Sequence, residues 1–256
     1  MKIFAIALNT FREAIRNKIL YSVVFFGFVL IAVSAFFGAV SIIDQIRVIK
    51  DFGLFALSMC GALTTILAGV SLLNKELKQK TIYNILSKPV SRWQFIVGKY
   101  LGLTLTVSVL ISFMGVSLIL FVTILSGKVD WLMFQSIVFI LLEVAIVGAL
   151  TIFFSSLVVT TNLSGLFTFG TYIAGRSIEY LRFFIGGNRD SELLAHFIRG
   201  LEWLLPNISL LNVQDTIVYG YAIPLGYLLH AILYCISYSA AVLVLAVLIF
   251  NKRELT

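Results

Sequence analysis

One carboxylate, Glu143, stands roughly halfway along an apolar run, and no charge follows it from Val144 to Gly175. A carboxylate at that depth in a bilayer costs about 3 kcal/mol on insertion scales, and such groups are functional candidates by default. Glu143 can stay protonated, face the inside of a helix bundle or touch a substrate; a packing partner in the bundle fits equally well. Other chemistry is sparse. The two histidines, His196 and His230, both fall towards the presumed outer side, and no nucleophile and base face one another within a span. Cys60 and Cys235 lie in separate apolar runs, so neither a disulfide framework nor zinc-ligand spacing emerges. Copper(I) wants soft ligands, and beyond Met1 only Met59, Met114, Met133 and the two cysteines supply them. Nowhere does G-x-x-x-x-G-K-[ST] occur: Gly98-Lys99 runs into Tyr100, and Gly127-Lys128 into Val129. This chain therefore cannot cradle a nucleotide phosphate by that route. No catalytic residue, metal site or cofactor is expected on it, and no nucleic-acid partner. Arg182, Arg189, Arg199, Glu192 and Asp215 in one outer region keep a membrane-embedded enzyme or assembly factor open as an alternative.

The stretch Leu72–Gly102 holds the densest charge. Lys75, Lys78, Lys80, Lys88, Arg92 and Lys99 stand against one acid, Glu76, with hydrophobic segments on both sides. Basic clusters between spans mark the cytoplasmic side. Leu77, Ile82, Ile85 and Leu86 fit a short amphipathic helix. Pro89 disfavours helical geometry at Lys88 and stops that helix. Ser91-Arg92-Trp93-Gln94 matches the S-x-x-Q capping box, so a new helix should begin there. The result is either a docking surface or a well-capped loop.

Glu76, the basic helix, Thr81, the run Leu86-Ser87-Lys88-Pro89-Val90-Ser91-Arg92 and the Gly98-Lys99 pair resemble the coupling region of ABC type-2 transporter permeases. They are most similar to the branch linked to multicopper enzyme maturation. The resemblance implies a permease driven by a separate ATPase subunit, where ATP would bind, and paired with a second copy or a related permease. It implies that Glu76, Thr81, Ile82, Ile85, Pro89 and Arg92 serve ATPase coupling, and that the chain resides in a prokaryotic cell (inner) membrane. Copper as cargo does not follow, given the few soft ligands.

The elements that must position these residues are membrane helices. Hydrophobic residues make up 60% and charged ones 12% of the 256 residues, which excludes a soluble globular domain. The expected fold is all-α, a single permease domain over 1–256 embedded in a lipid bilayer, with spans near 19–43, 52–74, 92–127, 131–157, 162–185 and 226–250. Ala5, Leu8, Phe11 and Ile15 recur at helical spacing, predicting an interfacial elbow helix before the first span, retained rather than cleaved as a signal. Gly53, Gly61 and Gly69, eight apart, share a face that admits close packing. Asp44 to Asp51 reads as a polar connection, and Thr160-Thr161-Asn162 as the turn dividing an over-long apolar run. Thr104, Ser108, Ser112 and Ser117 form a polar stripe that serves either a substrate path or interhelical hydrogen bonds.

Arg176, Glu179 and Arg182 follow at three-residue spacing, the pattern of a salt-bridge ladder near the outer surface. Between Gly186 and Pro224, Leu193, Leu194, Phe197, Ile198 and Leu201 fall on one face of a helix, interfacial or shallowly re-entrant. With both termini inside, twelve of the 19 lysines and arginines are cytoplasmic and seven are outside, the bias expected of six spans.

Overall fold

The computed structural model describes residues 2–16, 18–40, 44–78, 91–158, 160–180, 200 and 205–252. Every regular element among them is helical: α1 (Lys2–Ile15), α2 (Lys18–Val40), α3 (Gln45–Lys78), α4 (Arg92–Ser126), α5 (Leu132–Leu157), α6 (Thr161–Arg176), a 3-10 turn at Ser209–Leu211, α7 (Gln214–Val218) and α8 (Leu225–Lys252). Five of these, α2, α3, α4, α5 and α8, are long and apolar enough to cross a membrane. The fifth expected span is represented by α6, whose 16 residues end at Arg176; residues 181–185 lie outside the described part.

The local reasons for these boundaries are visible. At 1.5 Å per residue, α3 and α4 each run about 50 Å, well beyond a hydrocarbon core of about 30 Å. α4 begins at the predicted cap, where the Ser91 amide donates to Gln94 Oε1 at 3.3 Å. It ends where Gly127 takes the left-handed conformation (φ 69°) and its amide closes on Thr123 O at 2.9 Å. The Asp44–Asp51 stretch is not a loop. Helix α3 already starts at Gln45, because its charges find partners: Arg47 pairs with Asp44 at 2.8 Å and Lys50 with Asp130. Asp130 also accepts from the Leu132 amide at 3.1 Å, so one carboxylate caps α5 and ties it to α3. The break between α5 and α6 includes Val158 and Thr160 and meets the expected Thr160-Thr161-Asn162 turn only at Thr160, since Thr161 already opens α6.

α3 and α5 form the middle of the bundle, packed on each other and each on α4 and α6; α2 covers α3, and α8 covers α5. The glycine face of α3 explains the fit. A Cβ at Gly53 would strike Leu118, at Gly61 Ile111, and at Gly69 both Thr151 and Leu103, all within 2.5–2.7 Å. Backbones without side chains can approach this closely, and in lipid such packing replaces the missing hydrophobic drive. The polar residues of these helices mostly turn inward on their own backbone. Thr65 donates to Gly61 O, Thr106 to Gly102 O, Thr151 to Val147 O and Ser117 to Phe113 O, each four residues back. Ser117, from the predicted stripe, thus serves its own helix rather than a neighbour.

An amphipathic N-terminal helix is present, and the face it turns to the bundle lies beside the apolar stripe of Ala5, Leu8, Phe11 and Ile15. Thr10 and Ala14 are buried, whereas Ala5 and Leu8 are exposed. α1 lies across α4 at Gly98 and Gly102, where an added Cβ would meet Ile6 at 2.8 Å and the Ala7 carbonyl at 2.6 Å. Lys99, between those glycines, is 2% exposed beneath α1 and pairs with Glu13 at 3.8 Å.

Candidate functional site

Glu143 is buried inside the bundle, on the twelfth residue of the 26-residue α5. Its partners come from three helices. Glu143 Oε2 accepts from the Ser58 hydroxyl of α3 at 2.8 Å. Glu143 Oε1 accepts from Arg176 Nη1 at 2.8 Å and from the Tyr172 hydroxyl at 3.2 Å, both on α6. Arg176 Nη1 also reaches Ser58 Oγ at 2.7 Å and Tyr172 OH at 3.0 Å. Each hydroxyl accepts from the guanidinium and donates to the carboxylate. The closed network therefore satisfies an ion pair that apolar surroundings would otherwise make very costly. Tyr172 and Arg176 are four apart on α6, one turn, which brings both to Glu143 together.

Arg176 had been expected in a ladder with Glu179 and Arg182. Its guanidinium instead turns into the bundle, and no ion pair joins it to Glu179 among the described residues. Arg182 lies outside them. Arg176 therefore also leaves the count of outer-loop cations. Local spacing missed its true partner, 33 positions away. The sequence did carry a signal: Arg176 is the first charge after Glu143, at the end of the uncharged run from Val144 to Gly175.

A second unexpected feature lies beside this network. The outer region is not confined to the surface, because residues 205–218 enter the bundle. Ile208, Leu211, Val213 and Ile217 are buried, and Ile208 joins a cluster with Ala62, Ile66, Val147 and Tyr172. Its Cγ1 and Cδ1 would lie 3.2 Å from a Cβ at Gly175. The Asn207 amide donates to Tyr234 OH at 2.7 Å, and the Tyr227 hydroxyl donates to Leu210 O at 2.7 Å. Asn207 Oδ1 accepts from Ser209 and from the Leu210 amide, and Gln214 donates to Leu54 O at 3.4 Å. Asn212 Oδ1 stands 3.5 Å from Arg176 Nη2, joining this segment to the ion pair. Irregular backbone at such depth is stable only when buried in protein or lining a cavity. Both occur. A cavity of about 480 Å³ is lined by Glu179, Asn207, Ser209, Asn212, Thr216 and Tyr227 among others. A second, of about 320 Å³, is lined by Arg176 with Asp51, Phe52, Phe55, Asn212 and Asp215. Asn212 borders the two. The expected helix over Leu193–Leu205 falls almost wholly on residues outside the described part.

At the opposite end of the bundle, Glu76 lies within the last turn of α3. Thr81, Ile82, Ile85 and Pro89 lie outside the described residues. Arg92, the first residue of α4, donates from Nη1 to Phe250 O at 3.1 Å and Asn251 O at 3.0 Å. The guanidinium thus fills carbonyls that the end of α8 leaves without helical partners. One residue group further on, Phe95 stacks on Phe250 with ring centroids 6.0 Å apart.

A bundle of long apolar helices around a satisfied buried ion pair, with irregular backbone folded into it, defines a multi-pass membrane protein with a polar interior. Residues 4–255 match the family model described as ABC-2 family transporter protein, and the chain belongs to that family. It is a permease of the ABC transporter class. No curated protein matches it.

Proposed function

We propose that the chain is the membrane subunit of an ATP-driven transporter, powered by a separate ATPase subunit and paired with a second copy or a related permease. It would sit in a prokaryotic cell (inner) membrane with six spans and both termini cytoplasmic. Family membership across residues 4–255, in a chain without a phosphate-binding loop, carries this proposal. In it, the segment from Lys75 to Ser87 is the coupling helix. Glu76, Thr81, Ile82 and Ile85 meet the ATPase, and Pro89 with Arg92 sets the angle to α4. ATP can drive a conformational change only if the ATPase binds the two permease conformations with different free energy. Kinship to the copper-linked branch rests on the coupling-region residues alone, and no step here depends on it.

Inside the membrane, the Glu143–Arg176 network joins α3, α5 and α6 and touches Asn212 of the in-folded segment. We assign it the part of a lock: intact in one conformation, rearranged in another that joins the cavities on either side of Asn212.

The test is co-purification. Wild type from native membranes should bring down a P-loop ATPase, while Glu76→Lys combined with Ile82→Asp, at matched membrane abundance, should lose it or uncouple hydrolysis from transport. Equal recovery and equal transport in the double variant would remove the coupling role. Catalysis by the purified chain without any ATPase would favour a membrane enzyme.

A further inference from the structure

The last helix carries bonds at both of its ends that no packing argument requires. At its cytoplasmic end, Phe250 O and Asn251 O accept from Arg92, at the start of α4. Towards its outer end, the Tyr227 hydroxyl donates to Leu210 O, and Tyr234 OH accepts from the Asn207 amide. Between them, Cys235 Sγ lies 3.4 Å from Leu142 O, the residue next to Glu143. Tyr227 and Phe250 are separated by about 35 Å along the helix. No proline or glycine interrupts the chain from Tyr227 to Lys252, so the helix has no built-in kink. Its outward residues Leu229, Leu233, Ile236, Leu245 and Leu248 are exposed. The opposite side packs along α5, so α8 is a stiff rod seated on that helix, bonded near both ends and exposed along its outward side.

We propose that α8 transmits motion between the cytoplasmic face and the in-folded segment 205–218, with Arg92 positioning it at one end and Tyr227 and Tyr234 at the other. Arg92 directly follows the stretch assigned to ATPase coupling, so the function of this rod rests on the transporter proposal, while its mechanical continuity does not. Asn207 and Leu210 line the larger cavity together with Glu179 and Tyr227, and Asn212 borders both, so a shift or tilt of α8 would move Asn207 and Leu210 and reshape the larger cavity. Such a link needs evidence of energetic coupling, not spatial intermediacy alone.

Hydrogen exchange of the full chain in lipid nanodiscs supplies that evidence without nucleotide. Arg92→Gln should speed amide exchange in residues 205–213 roughly tenfold, about the worth of one charge-assisted hydrogen bond. Arg92→Lys, which keeps the charge but loses the fork, should fall between. The reciprocal variant, Tyr227→Phe with Tyr234→Phe, should speed exchange in residues 247–252. Trp93→Ala, at an exposed neighbour, should do neither. Changes confined to the mutated end in both directions would overturn the rod. A second arm uses the complex with its ATPase and measures maleimide labelling of Thr216→Cys with ATP and vanadate. The labelling rate should respond to nucleotide in the wild-type background and lose that response with Arg92→Gln. A response that survives Arg92→Gln overturns the transmission role. No response even in the wild-type background would overturn the transporter proposal instead, with the exchange arms still deciding whether α8 is continuous.

Discussion

Glu143→Gln isolates the charge of the buried network from its shape. Glutamine keeps the side-chain length and can still accept from Ser58 or Tyr172, so the change mainly leaves the Arg176 guanidinium without its counter-charge. Glu143 is 2% exposed, and the Arg176 side chain about one-fifth exposed, so solvent can compensate little. Removing one partner of a buried pair costs about 3–5 kcal/mol, whereas replacing both is often neutral or stabilising. The expected pattern is a strongly destabilised Glu143→Gln, a similarly destabilised Arg176→Gln, and a double variant that recovers most of the loss. Membrane proteins commonly unfold irreversibly, so the assay is the half-life of the monodisperse species in detergent at fixed elevated temperature. A non-additive cycle, with roughly 2 kcal/mol or more of interaction energy, is the signature of a direct contact. Additive losses would refute a paired Glu143–Arg176. Transport then separates the two roles. A stable double variant that still transports marks the pair as packing; a stable one that does not marks it as the lock.

Three further outcomes follow from other contacts. Gly102→Val should push α1 off α4, since even a Cβ there meets the Ala7 carbonyl at 2.6 Å; the overpacking cost is about 1–3 kcal/mol, and limited proteolysis near Lys2–Ile15 reads it directly. Unchanged protease resistance would place α1 elsewhere. Asp130→Asn should cost about 1 kcal/mol by weakening the Lys50 contact while keeping a capping oxygen, and Asp130→Ala about 2 kcal/mol by losing both, measured by the same thermal half-life. Equal losses would show that the cap contributes nothing. For topology, cysteines at Lys128 and Lys252 should label from opposite sides of sealed vesicles, and labelling from one side would refute an outer α4–α5 turn with a cytoplasmic C-terminus.

Much of the helical framework was legible in sequence because membrane helices announce themselves by length. A break near Thr160, the start at Ser91 and the packing face of Gly53, Gly61 and Gly69 were all readable from residue type and spacing. Misreadings arose where polar residues found partners outside their own neighbourhood. Asp44–Asp51 looked like a loop because its charges exceed those of a span, yet Asp130 lies 80 positions beyond Lys50 and supports a helix there. Arg176 looked like a surface cation because its counter-ion is on another helix. The face of α1 that meets α4 has no apolar signature because it is centred on Thr10, whose hydroxyl is satisfied by Ile6 O at 2.9 Å and so can be buried despite its polarity. Gly98 and Gly102 marked that crossing more clearly than any apolar pattern on α1. Residues 205–218 lie in the interval read as interfacial or shallowly re-entrant, and only the fold shows Asn207, Ser209, Asn212 and Gln214 bonded within the bundle.

Because Lys99 lies beneath α1, it answers to two demands at different stages of biogenesis. In the topology proposed above, Lys99 is one of the basic residues that retain the first turns of α4 in the cytoplasm while that helix is being inserted. Once α1 settles over Gly98 and Gly102, the same ammonium is nearly sealed from water, with Glu13 as its counter-charge and the Phe95 ring 5.8 Å away. The N-terminal helix, synthesised first, therefore completes its docking only after α4 has emerged to receive it. A chain whose N-terminus was trimmed would strand an ammonium against an apolar wall at the cytoplasmic boundary. Such a lesion would surface as poor assembly and proteolytic clearance, with the transport route itself untouched.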